Sequence, residues 1–132
     1  MDDEFNSGDV SLSELQLSLM RVLWQRGEAS TAEVAEALRG ERDLAHTTVA
    51  TLLTRLEKRG LLASRREGRA LLYTPLVSEA EVQRSMVGSL LDRLFAGRPS
   101  ALVSHLLDAR GVDAAELAEL QALLKQRKGD AR

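Results

Sequence analysis

The chain contains no cysteine, which rules out disulfides, thiolate metal sites and a cysteine nucleophile. Aromatic residues amount to only 3 %, so the core has to be aliphatic, built mostly from Leu, Val and Ala. No apolar run approaches the ~18 residues that a membrane helix needs. The acidic start MDDEFNSGD also lacks the apolar centre of a secretion signal, so the expectation is a cytoplasmic protein with no membrane insertion. Enzyme signatures are missing as well: no glycine-rich phosphate loop, no HExxH pair and no Ser/His/Asp set. His105 and Asp108 stand three apart, but two ligands on one helix fall far short of a metal site. We expect a non-enzyme without cofactor or metal.

What is present favours helix. With 44 % hydrophobic residues, 132 residues hold one domain, or a small one with an appendage. Ala, Leu, Glu and Arg dominate, all good helix formers. A formal net charge of −2 argues on its own against nucleic acid, but its distribution argues the other way. Residues 1–9 carry four acids and no base, whereas residues 44–75 carry six Lys or Arg against Glu57 and Glu67. Residues 76–132 carry eight of each sign. A basic patch therefore sits inside a nearly neutral chain.

In chain order, residues 1–9 read as a disordered acidic tail. Ser11 and Glu14 have capping-box spacing and predict a helix from Leu12 to Arg26, with Leu15, Leu19, Val22 and Leu23 inward and Gly27 closing it. Ser30 and Glu33 repeat the box for a short helix ended by Gly40. Val49, Leu52, Leu53 and Leu56 give a third helix its apolar stripe, and Gly60 stops it. Leu62–Arg66 and Ala70–Thr74 read as two strands around a Glu67-Gly68-Arg69 turn. Beyond Pro75, Ser78 with Glu81, Pro99, and Asp113 with Glu116 each open a further helix. The predicted fold is mainly α with a small β-hairpin wing. It divides into a winged helix-turn-helix over 10–76 and a helical dimerisation domain over 77–129.

The third helix carries the functional reading. Opposite its apolar stripe lie Thr47, Thr51, Thr54 and Lys58, flanked by Ala50 and Arg55. Thr47, Thr48 and Thr51 offer hydroxyls to base edges or phosphates, Ala50 suits a thymine methyl, and Arg55 and Lys58 suit phosphate. The plain alternative is a solvated face, yet threonine is a mediocre helix former and its clustering here needs a reason. His46 either bonds DNA or is an exposed residue at the helix start. On the hairpin, Arg65, Arg66 and Arg69 are the expected DNA contacts. Arg65 and Arg66 fall on opposite faces, so one of those two points at DNA, and Arg69 at the turn is the better candidate for minor groove or phosphate. A solvated hairpin tip is the alternative there. Tyr73 alone makes no stacking platform for single strands. Two functions fit: a sequence-specific DNA-binding repressor, or a winged-helix adaptor with no DNA role.

The three C-terminal helices are too few to hide their own apolar faces. Val82, Met86, Leu90 and Leu94, then Leu102 and Leu106, then Leu117, Leu120 and Leu124 are expected to pair with a second copy. Such a homodimer presents two reading helices to an inverted-repeat operator in double-stranded DNA.

Four stretches resemble the BlaI/MecI penicillinase-repressor family of bacterial regulators: LSELQLSLMRVLW at 12–24, TTVATLLTRLEKRGLL at 47–62, LLYTPLVSEAE at 71–81 and LFAGRPSALVSHLL at 94–107. The resemblance implies a dimeric winged-helix repressor on inverted-repeat operators. It also implies release when a membrane-bound sensor protease triggers cleavage, here near His105-Leu106. A copper-responsive branch of that family carries a C-terminal cysteine motif, which this chain lacks. Ala45 also stands where a polar cap before the third helix is expected.

Overall fold

The structure, a computed structural model, describes residues 10–109 and 111–130; the acidic tail expected over 1–9 lies outside them. Nine elements follow in order: α1 (Glu14–Arg26), β1 (Ala29–Ser30), α2 (Thr31–Leu38), α3 (His46–Lys58), β2 (Leu62–Glu67), β3 (Ala70–Pro75), α4 (Glu79–Phe95), α5 (Pro99–Ala109) and α6 (Ala114–Asp130). The described residues form two compact units that divide between Ser89 and Leu90, inside α4.

In the first unit, α1, α2 and α3 pack over a three-stranded antiparallel sheet of order β1-β3-β2. Serine boxes open α2 and α4 as the spacing predicts, with the Ser30 and Ser78 hydroxyls accepting from the Glu33 and Glu81 amides. The α1 box, however, is Ser13 with Gln16 rather than Ser11 with Glu14. Val10 and Leu12 explain the shift. Both are buried, and their alternation suits an extended lead-in rather than a first helical turn. β1 is a further departure: its two residues pair Ala29 with Tyr73 and Ser30 with Leu72, adding a third strand to the expected hairpin.

The core is aliphatic, as the composition requires. Leu19, Met20 and Leu23 of α1 meet Val34 of α2, Val49, Leu53 and Leu56 of α3, and Tyr73 of β3, all at or near zero exposure. Fully burying each such side chain is worth about 1.5–3 kcal/mol. Trp24 packs at the edge and its indole Nε1 donates to the Val77 carbonyl at 2.8 Å, so it is a core residue.

The end of α3 fixes the wing. Gly60, at φ 85°, lets its amide reach the Glu57 carbonyl while Leu61 N–H reaches the Leu56 carbonyl. This is the paired-bond glycine termination, and the two leucines that flank it, Leu56 and Leu61, are both buried in the core. Leu62 then starts β2 with no intervening slack. At the far end Gly68, at φ 62°, allows the tight Gly68-Arg69 connection into β3.

The second unit begins at Leu90 and holds the last turns of α4, with α5 and α6. Among the described residues, neither α5 nor α6 contains a fully buried one. Among the described residues, no helix is long and apolar enough to cross a membrane.

Candidate nucleic-acid interface

The stripe Val49, Leu53, Leu56 pins α3 to the core and thereby turns its opposite side outward. His46, Thr47, Thr48, Thr51, Thr54, Arg55 and Lys58 are all exposed, and Ala50 is half-buried. Thr51 Oγ1 donates to the Thr47 carbonyl at 3.0 Å, and Thr54 Oγ1 to the Ala50 carbonyl at 2.9 Å. With their protons committed to the helix, both hydroxyls face outward as acceptors beside a methyl group. That chemistry suits base amino groups and thymine methyls. Ala45 gives α3 no side-chain cap, so the amides of its first turn have no side-chain acceptor. Glu57, the one carboxylate on α3, accepts from Ser64 Oγ at 2.6 Å and is half-buried.

The wing completes a groove. His46, Ala50 and Thr54 of α3 face Arg66, Arg69 and Leu71 of the hairpin across a cavity of about 460 Å³. The start of α2, through Ser30, Thr31 and Ala32, lines the same cavity. Those three were absent from the expected site, because their serine-glutamate box already explained them as a helix cap. Among the described residues, Arg55, Lys58, Arg66 and Arg69 make no ion pair.

Two other basic residues are engaged within the chain. Arg59 Nη2 donates to the Ser11 carbonyl at 3.0 Å. Arg65, expected in the interface, lies on the opposite sheet face from Arg66. It donates through Nε and Nη2 to Glu28 at 2.8 and 2.9 Å, and is 3.4 Å from Glu67. Its main partner, Glu28, precedes β1 and sits far from Arg65 in sequence. The fork from Arg65 holds the Glu28 carboxyl below the usual carboxylate range and raises the guanidinium. For a depressed carboxylate the sign is clear: the pair is complete at neutral pH and lost only as acid titrates Glu28.

The apolar residues expected at a dimer contact divide. Val82 is 1 % exposed and belongs to the first unit's core, so it is not free for a second chain, whereas Met86 is half-buried and packed against that core. Their heptad-like spacing from Leu90 and Leu94 made all four look alike. Leu94 and Leu124 are each 70 % exposed, and Leu90, Leu106 and Leu117 are exposed too; Leu102 and Leu120 are half-buried. His105 and Leu106, at the implied cleavage point, are exposed on α5, with the His105 ring edge-on to Phe95 at 5.8 Å. Among the described residues no three potential metal ligands gather.

The family model described as penicillinase repressor matches residues 12–126. The chain is similar to the penicillinase repressor of Bacillus licheniformis, 30 % identical over 117 residues, covering 89 % of this chain and 91 % of the relative. It is similar to the transcriptional regulator BlaI of Mycobacterium tuberculosis, 39 % identical over 118 residues, covering 84 % and 86 %. Among solved structures, the oxidized form of MarR from E. coli superposes with a TM-score of 0.51 at 16 % identity, over 88 % of this chain and 75 % of that one. That likeness is one of fold.

Proposed function

The chain belongs to the penicillinase repressor family, and on that premise we propose that it represses transcription by binding operator DNA through α3 and the wing. Family members are repressors rather than enzymes. The observation that carries the reading is the sorting of cations. Among the described residues, Arg66 and Arg69 in the α3–wing groove and Arg55 and Lys58 on the exposed side of α3 make no ion pair, while Arg59 and Arg65 are engaged in the chain. In this reading Thr47, Thr48, Ala50, Thr51 and Thr54 meet base edges or sugar-phosphate in the major groove. Arg55, Lys58, Arg66 and Arg69 neutralise phosphates, and His46 hydrogen-bonds a base or phosphate.

The repressor acts as a homodimer on an inverted repeat. Among the described residues, nine large apolar side chains from Val87 to Leu124 are exposed, and no residue of α5 or α6 is fully buried within the chain. A second copy is the partner that hides them most economically, since it brings the same leucines. Release by a sensor-triggered protease at His105-Leu106 fits the same region. A bond inside a helix must unwind to enter a protease, and a helix without buried residues unwinds cheaply.

Binding to the promoter fragment upstream of the chain's own gene, against bulk competitor DNA, tests the core of this. A preference that falls steeply with salt is expected. Arg55→Ala should weaken binding to every sequence, whereas Thr51→Val should change the ranking of operators, because it removes an outward acceptor. Equal affinity for promoter and random duplex would overturn the reading.

A further inference from the structure

Two adjacent arginines on β2 have opposite fates, and the difference traces to one acid. Glu28 lies just before β1, the strand that pairs with β3. Its carboxylate accepts from both Nε and Nη2 of Arg65 on β2, and Thr74 Oγ1 on β3 donates to it at 3.4 Å. One side chain thus touches two strands and is rooted at the start of the third. We propose that Glu28 is a positioning residue that sets DNA specificity by holding Arg65 away from the phosphate backbone. This rests on the DNA-binding reading above.

Stability is a poor explanation for the pair. Arg65 is exposed at 55 % and Glu28 keeps 36 % of its side chain in solvent, and ion pairs so open to water contribute little. Its larger effect is on where charge is presented. Arg66 and Arg69 already line the α3–wing groove, Arg55 and Lys58 stand exposed on α3, and Arg65 stands three residues from the hairpin tip on a long, flexible stem. A released guanidinium there would add a phosphate contact that carries no sequence information. Such a contact tightens binding to every duplex alike and so dilutes discrimination. Glu67, 3.4 Å from Arg65, is a second and weaker restraint on the same outer face.

The test compares the parent with Glu28→Gln, Arg65→Gln and the double variant, each titrated with promoter and random duplex at several salt concentrations. For Glu28→Gln we expect tighter random binding, a promoter-to-random ratio that falls, and a salt slope steeper by about 0.9, the signature of one more phosphate contact. Arg65→Gln should keep the parent's slope, and the double variant should behave as Arg65→Gln. Melting curves confirm that each variant is folded, and a structural role alone would lower stability in both single variants without steepening either slope. An unchanged slope in Glu28→Gln, or a gain that persists in the double variant, overturns the proposal. A parent with no promoter preference fails at the earlier step and condemns the DNA-binding reading instead.

Discussion

The two units of this chain use leucine in opposite ways. In the first, Leu19, Leu23, Leu53, Leu56 and Leu61 are wholly hidden and fix the reading helix in place. In the second, Leu94, Leu106, Leu117, Leu123 and Leu124 stand in the open. The same residue type at the same helical spacing therefore serves an interior in one region and an outward surface in the other. Periodicity reports that a helix has an apolar side; it does not report which molecule covers that side.

That contrast can be broken most forcefully from the exposed side. Leu94→Glu combined with Leu124→Glu should leave the winged-helix unit folded, yet convert a dimer to monomers in sedimentation. Operator affinity should then drop by about 10²-fold or more, since each half-site loses its tethered partner. A variant that still sediments as a dimer would locate the contact elsewhere. From the buried side, Leu53→Ala should cost about 2–5 kcal/mol in urea denaturation, because it opens a cavity that the aliphatic core cannot fill. The smallest effect concerns the boundary itself. A Cβ at Gly88 meets nothing within 4 Å, so Gly88→Ala should stabilise α4 by about 0.5–1 kcal/mol in thermal unfolding. Should that substitution weaken the dimer instead, the second copy approaches closely at Gly88, which would sharpen the map of the contact.

Most of the architecture was legible because it is written locally. Serine–glutamate boxes at Ser30 and Ser78, the stops at Gly27 and Gly60, and the stripe Val49, Leu53, Leu56 each declare themselves within a few residues. What escaped depends on distant partners. The start of α1 offers two overlapping boxes, and only the burial of Val10 and Leu12 decides between them. β1 is two residues long, too short for any alternation, and exists because Tyr73 and Leu72 lie opposite it. For the interface, strand alternation separates Arg65 from Arg66 but not which faces α3; Glu28 settles that across the sheet. Val82 shares its stripe with Leu90 and Leu94, and only the fold assigns it inward.

The glycine-terminated joint at Gly60-Leu61 has a consequence for how recognition changes over time. Because α3 runs into β2 through two backbone hydrogen bonds, the direction of the helix is tied to that of the wing. On the proposed reading, a duplex of different curvature would then have to bend to meet both prongs. A change of target would come from exchanging side chains on that frame, rather than from resetting the angle between its two prongs.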